Sequence, residues 1–246
     1  MPRIQPEEFK AWNEGMIHKY DPDAFHRHPN PLVRFVERKR VKTIFHLMRV
    51  RPGDRILEVG CGAGNVIEQS GGGKLFGIDI SETVLLKARK RLKEKAYLFQ
   101  GDAQNLPFKD QVFTHVICSE VLEHLLDPSM ALNEIQRVMF QEGVAIVSIP
   151  NELWINRIKS VLISLKIFHW FRSGDYQAMP ERMEDEWHLH TFSLEGWLDL
   201  FKKFFRVTRL ERIPFMWLPL RYVVRLGKKT KKNSNGTGRT IKEFLW

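Results

Sequence analysis

Cysteine is scarce, with only Cys61 and Cys118 among 246 residues. Neither stands in a metal-ligand or redox spacing, and two such thiols make no disulfide framework, so a reducing cytoplasmic setting is the expectation. Long apolar runs are also missing. No stretch reaches the roughly 18 apolar residues of a membrane-spanning helix, and the opening MPRIQPEEFKAW has no apolar core of the signal-peptide kind. Acidic residues are sparse at one end. Residues 201–246 hold thirteen Lys and Arg against two Glu, so the whole net charge of +10 belongs there and the preceding body is near neutral. There is no internal repeat, and low complexity is confined to GKKTKKNSNGTGRT at 227–240.

What is present is an ordinary globular composition, 43% hydrophobic and 28% charged, in a chain long enough for a substantial core. From Pro31 to Val50 apolar residues recur at helical spacing, which predicts an amphipathic helix ahead of the main fold. Strands then alternate with helices: Arg55–Val59, Lys74–Ile78 closed by Asp79, a helix capped by Ser81 and running through Leu92, Ala96–Gln100, Phe113–Cys118, a helix over Pro128–Met139, and Gly143–Ile149 closed by Pro150. Thr191–Phe204 reads as helix, Phe205–Ile213 as a strand and Tyr222–Leu226 as another. Such alternation implies an α/β fold, a parallel sheet with helices on both faces. Ligands of these sheets bind beyond the carboxyl ends of the strands, where the polar residues of this chain collect.

The most informative segment is Glu58-Val59-Gly60-Cys61-Gly62-Ala63-Gly64-Asn65, a glycine-rich turn expected between strand and helix. Glycines there let backbone approach a ligand closely. A dinucleotide fingerprint needs its third glycine three residues after the second, and Asn65 holds that place. The alternating G-x-G-x-G, with an acid two residues earlier, instead resembles motif I of class I S-adenosylmethionine-dependent methyltransferases of the type 11-like kind. The resemblance runs in order from residue 51 to 151. It implies a Rossmann-like seven-stranded, mostly parallel sheet, with a helical cap at 1–50, a domain at 51–226 with an insertion at about 152–190, and a basic tail at 227–246. It also implies S-adenosylmethionine as cofactor. The turn with Gly60, Cys61, Gly62 and Gly64 would lie against the methionine part, and Glu58 would orient the turn or meet the ammonium. Asp79, with Ile80 beside it, matches the acid that binds the ribose hydroxyls. Asp102 matches the acid that meets the adenine amino group, with the Ala103 amide facing the ring, and Ser119 completes the set.

Methyl transfer is an in-line displacement, so the protein must align two reactants and, for a hydroxyl acceptor, remove a proton. The residues for this lie in Ser119-Glu120-Val121-Leu122-Glu123-His124-Leu125. EVLEHL is similar to a stretch of the ubiquinone-biosynthesis O-methyltransferases and to the metal-binding part of small-RNA 2′-O-methyltransferases. If it forms a helical turn, Glu120, Glu123 and His124 share one face. His188, in a stretch resembling a His-x-x-x-Phe-Ser pattern of these enzymes, is a fourth candidate. Structural support, a general base with its orienter, and metal ligation stay open for these residues. His124 is the first choice of base and His188 the second. A divalent metal is an open alternative, and none is assigned.

The acceptor is expected to be a small molecule or lipid-linked, methylated at oxygen. Bulky apolar side chains and basic residues interleave over 153–172, a pattern that suits a lipid headgroup boundary. Together with the basic C-terminus this stretch makes an anionic membrane surface a partner to test, with the protein peripheral at the inner face. Core and lid is the competing explanation for the same aromatic stripe. RNA 2′-O-methylation, with the tail steering a nucleic acid, is an alternative that lacks any recognisable RNA-binding module. A non-catalytic cofactor-binding scaffold is another.

Overall fold

The computed structural model describes residues 4–166 and 187–229. Five short apolar runs make the first strands: β1 (Arg55–Val59), β2 (Lys74–Asp79), β3 (Ala96–Gln100), β4 (Phe113–Ser119) and β5 (Met139–Pro150). β1, β4 and β5 are almost wholly buried, as strands covered on both faces must be. The last two strands, β6 (Phe205–Phe215) and β7 (Leu218–Lys228), form a hairpin. The sheet order is β3-β2-β1-β4-β5-β7-β6, with β1 to β5 parallel and β7 antiparallel to both neighbours. The chain leaves β1 towards β2 on one side, while β4 lies on the other. Their carboxyl ends therefore diverge into a crevice where a ligand can sit.

Seven helices complete the described fold: α1 (Phe9–Lys19), α2 (Asp23–His26), α3 (Pro31–Met48), α4 (Glu82–Leu92), α5 (Pro128–Val138), α6 (Glu152–Ser164) and α7 (Leu194–Phe204). One face of the sheet packs on α5 and α7, through residues such as Leu132, Ile135, Trp197 and Phe201. The other packs on α3 and α4, through Val41, Ile44, Ala88 and Leu92. Caps mark the helix starts. Asn30 accepts from the Leu32 amide ahead of Pro31, and Ser81 Oγ accepts from the Val84 amide.

Several boundaries differ from the sequence reading. The crossover after β1 is not an α-helix but a single 3₁₀ turn, Ile67–Gln69, because Gly71-Gly72-Gly73 follows at once and disfavours helix. β5 starts at Met139 rather than Gly143, since pairing with Phe113 extends it backwards. α7 begins at Leu194, where Ser193 Oγ accepts from the Gly196 amide. β7 runs through Lys228, so residues 227 and 228 belong to the sheet and not to a tail. The amphipathic stretch of the insertion is helical as α6, while Phe168, His169, Trp170 and Arg172 lie outside the described residues, as does the tail from 230 onward. No helix of the described residues is long and apolar enough to cross a membrane.

Candidate active site

A cavity of about 250 Å³ opens at the carboxyl ends of β1 and β4. It is lined by Glu58, Gly60, Cys61, Gly62, Asp79, Ile80, Asp102, Ala103, Ser119, Glu120, Glu123, His124 and His188. All of the candidate cofactor and acceptor residues thus meet in one space, except Gly64. That glycine does not line the cavity. Its φ is +79°, and a Cβ there would come within 2.7 Å of Leu92 Cδ1, so its smallness serves the packing of the turn on α4. Gly62 is the opposite case, with φ +51° and open space where a Cβ would project. Its bare backbone borders the cavity, as close approach to a ligand requires.

Two carboxylates hold the turn, Glu58 buried and Asp79 half-buried. Glu58 accepts from the Ile67 amide at 3.0 Å, tying strand end to 3₁₀ turn. Asp79 accepts from the Gly62 amide at 2.8 Å and from the Ser81 amide at 3.0 Å. Burial pushes the Glu58 carboxyl up to about 8, against the lowering effects of the Ile67 amide and Arg40. Burial also raises Asp79. Carboxylates in this condition favour a cationic ligand, which restores the charge pairing that desolvation removes. The fit to a cofactor carrying sulfonium and ammonium, and no phosphate, is therefore chemical as well as positional. Asp102 accepts from the Gln104 amide at 2.8 Å, an Asx-type turn that fixes the loop after β3.

The N-terminal segment roofs the cavity. Phe9, Asn13, Ile17 and Tyr20 line it from α1 and its cap, at the four-residue and three-residue spacings of one helical face. Glu14 anchors that roof by accepting from Ser81 Oγ at 2.8 Å and from the Glu82 amide at 2.7 Å. Asp23 does the same further along, pairing with Arg91 at 3.0 Å and accepting from Asn65 at 2.7 Å.

The acceptor side is assembled from distant segments. The amides of Leu189 and His190 both donate to the Glu123 carbonyl, at 2.8 and 3.1 Å. This clamp brings His188 over His124, with ring centroids 4.8 Å apart. Trp187 stacks on Tyr20 of the roof and meets His124 at 4.7 Å. His188 Nδ1 lies 3.1 Å from Glu152 Oε1, an ion-pair contact rather than an aligned hydrogen bond. Burial holds His124 down at about 3, with His188 adding to the effect, so its imidazole stays neutral. Burial raises Glu123, helped by the nearby Glu120. Donor atoms of Glu123, His124 and His188 lie within 4.8 Å of one another, a set able to hold a borderline divalent cation.

Glu120 does not share a helical face with Glu123 and His124. It has φ +58°, and the 3₁₀ turn starts after it, at Leu122. Its side chain turns away to accept from Ser148 Oγ at 2.9 Å and to pair with Arg221 Nε at 2.5 Å. Here it joins a buried network that sequence reasoning missed. Arg40 of α3 pairs with Glu37 at 2.6 Å and donates to Ser119, while Ser119 and Ser148 hydroxyls meet at 2.8 Å. Burial alone would raise Glu37, but Arg40 and Arg221 more than offset it and hold the carboxyl down at about 2. A signal was available: Glu37, Arg40, Val41 and Ile44 share the buried stripe of one helix, and charges on an apolar stripe need partners.

A family model described as "Methyltransferase domain" matches residues 57–147, the span from β1 to β5 that builds this cavity. This segment thus carries a methyltransferase domain of the class I S-adenosylmethionine-dependent kind. Among curated relatives, this chain is 35% identical over 103 residues to a demethylmenaquinone methyltransferase of Symbiobacterium thermophilum, covering 38% of this chain and 41% of the relative. It is 28% identical over 169 residues to a ubiquinone/menaquinone biosynthesis C-methyltransferase of Paraburkholderia xenovorans, covering 61% of this chain and 69% of the relative. Among solved structures, a Pyrococcus horikoshii protein shares the fold with a TM-score of 0.62 at 20% identity, covering 87% of this chain and 99% of that one. The chain spans 66%, 41% and 46% of the length of the first three curated relatives, less than two thirds in each case.

Proposed function

We propose that this chain transfers a methyl group from S-adenosylmethionine to an oxygen of a small or lipid-linked acceptor. One observation carries the reading: a single cavity joins the glycine turn, Asp79 and Asp102 to the imidazoles of His124 and His188. When bound, the cofactor supplies an electrophilic methyl on a cationic sulfur. Asp79 would hold its ribose, Asp102 and the Ala103 amide its adenine, and the turn at Gly60–Gly62 its methionine end. The roof from α1 and the Trp187–Tyr20 stack would cover the two reactants and help to align them.

The base falls to His188 rather than His124. A base works best with its pKa near the working pH, and His124 is held far below it. Glu152 Oε1 lies 3.1 Å from His188 Nδ1, within reach to orient the ring once the two align, which leaves Nε2 as the atom to accept a hydroxyl proton. The relatives named for quinone biosynthesis support an aromatic, prenylated acceptor as one to try. One is named a C-methyltransferase, so ring carbon is the rival position. The test is turnover of labelled cofactor with phenols and with their prenylated forms, followed by identification of the methylated atom. Label on ring carbon, or no transfer to any hydroxyl acceptor, overturns O-methylation.

A second reading has an observation of its own. Glu123 Oε2 is buried and accepts no hydrogen bond. A divalent cation on Glu123, His124 and His188 would satisfy it and activate the acceptor. Turnover abolished by a chelator, with cofactor affinity unchanged, selects this reading. Turnover that survives chelation removes it.

A further inference from the structure

The turn between β6 and β7 carries Phe215, Met216 and Trp217, with 38, 66 and 72% of their surface exposed. An isolated exposed apolar residue needs no explanation, but a contiguous group does. Phe215 and Trp217 stack with rings 2° from parallel, and Phe35 of α3 meets Phe215 at 6.0 Å. Leu32, one turn earlier on α3, is 61% exposed. The topology decides where this group lies. β7 is antiparallel to β5, with Arg221 opposite Pro150, so the β6–β7 turn projects past the carboxyl edge of the sheet, the edge where the cavity opens. α3 starts at that edge and ends at the other, where the Met48 carbonyl meets His115 at the start of β4.

α6 adds to the same rim. Its cap, Asn151, donates to the Pro219 and Leu220 carbonyls at the base of the turn. The pattern of α6 is inverted for a helix packed on a body: Lys159 is buried, whereas Leu153, Val161 and Leu165 are exposed. These three and Arg157 form one stripe at four-residue spacing.

Charge decides the occupant. On α3 the cations Arg38, Lys39 and Lys42 accompany the apolar residues, and Lys39 lies over the Phe215 ring at 5.5 Å. The acids on these elements face inward: Glu37 is buried against Arg40, and Glu152 is turned to His188. A surface of stacked aromatics and basic side chains, without an outward acid, matches the boundary of an anionic bilayer, where apolar groups enter the acyl region and cations meet headgroups.

We propose that the β6–β7 turn, the start of α3 and the outer stripe of α6 together seat this protein on an anionic lipid bilayer, with the mouth of the cavity facing the membrane. This rests on the methyltransferase reading only in making the acceptor lipid-linked and delivered from the bilayer side. Seating itself is independent of turnover.

The experiment is co-sedimentation of the full chain with vesicles of phosphatidylcholine and phosphatidylglycerol, beside vesicles of phosphatidylcholine alone. Measurements are made at ~0.1 M salt, where the Debye length is about 10 Å and exposed cations still act on headgroups. The chain is expected to bind the mixed vesicles better, and the variant Met216→Asp/Trp217→Asp to lose about tenfold or more in partitioning. Leu86→Asp, on the exposed face of α4, serves as the control and should bind as the parent does. Calorimetry with S-adenosylmethionine on each variant reports whether the fold and the cofactor site are intact. No vesicle binding by the parent, equal binding to both vesicle types, or unchanged binding by the turn variant overturns the proposal. So does light scattering that shows a dimer dispersed by the turn variant with no vesicle affinity, because the patch would then be a contact between copies. Vesicle binding by a chain that does not bind S-adenosylmethionine would leave the seating intact and sink the methyltransferase reading instead.

Discussion

The cofactor side of the cavity is made of short contiguous pieces: the turn after β1, the acid ending β2 and the loop after β3, each held by its own backbone. The acceptor side draws on α3, the ends of β4 and β5, α6, β7 and residues 187–190, held by side chains that cross long sequence separations. The first is stiffened by glycine turns and carboxylate–amide bonds. The second depends on buried charges and stacked rings that stabilise only as a set. A substitution on the cofactor side should therefore weaken one ligand contact, whereas one on the acceptor side should cost turnover or the fold itself.

The largest effect should come from the imidazole pair. His188→Ala is expected to lower kcat by about 10²–10⁴-fold with cofactor affinity retained, and Glu152→Gln to lower it less, as an orienter should. Single-turnover rates beside calorimetry check this. If His188→Ala and His124→Ala both keep full turnover, neither imidazole is the base.

Next comes the buried network. Arg40→Met leaves Glu37 with Arg221 only, 4.0 Å away. The expected loss is about 3–5 kcal/mol of stability in denaturant titration. The double variant Arg40→Met/Glu37→Leu should recover much of it, because removing both charges also removes the desolvation they suffer. The acid limb of stability follows from the same pair. Glu37 is held at about 2, so its contribution is present above the ordinary carboxylate range and lost as pH falls through about 2. A single variant as stable as the parent would show that the network is ornamental to the fold.

On the cofactor side, Asp79→Asn removes the charge and keeps an acceptor for only one of the two amides, since Gly62 donates to Oδ2 and Ser81 to Oδ1. Affinity for S-adenosylmethionine is expected to fall about 10–100-fold, the loss of two hydrogen bonds to a charged group. Calorimetric titration decides it, and unchanged affinity would place the ribose elsewhere.

The smallest effect is the proton carried by Glu58. Its carboxyl sits at about 8 in the free protein, and a bound cation would bring it down. Binding should then release a proton, and affinity should rise with pH by at most about tenfold per unit, levelling above about 8. The stability sign is opposite to that of Glu37. A raised carboxyl contributes fully below the ordinary carboxylate range and loses its contribution as pH rises through about 8. Calorimetry in buffers of different ionisation enthalpy measures the proton, and Glu58→Gln should abolish its release. Release that persists in that variant would move the proton to Asp79 or Glu123, which burial also raises.

Much was legible without coordinates. Apolar runs marked the first five strands, while the last two were weaker and the count of seven came from the family resemblance. The glycine turn, the acid before it and the acid ending β2 put Glu58, Gly60, Gly62 and Asp79 at strand ends that line one cavity. These signals are local: a turn that needs positive φ, or a strand end that needs an acceptor, declares itself within a few residues. Gly64, expected against the cofactor with the rest of the turn, does not line the cavity and packs on Leu92, a contact that only the position of Leu92 reveals. Glu120 was grouped with Glu123 and His124 by helical spacing, which cannot register that φ at Glu120 is positive and sends its side chain to Arg221.

The sequence by itself thus determined the succession of strands and helices along the chain, the cofactor turn and the carboxylates that flank it, because each is encoded over one strand and one turn. Only the tertiary structure decided that His188 lies on Glu152 and over His124, that Arg40 and Arg221 close the wall behind Glu120, and that the aromatic turn between β6 and β7 stands at the mouth of the cavity. Those juxtapositions depend on how β7 pairs with β5 and where residues 187–190 dock. Long-range pairing leaves no periodicity in a single chain from which such contacts could be read.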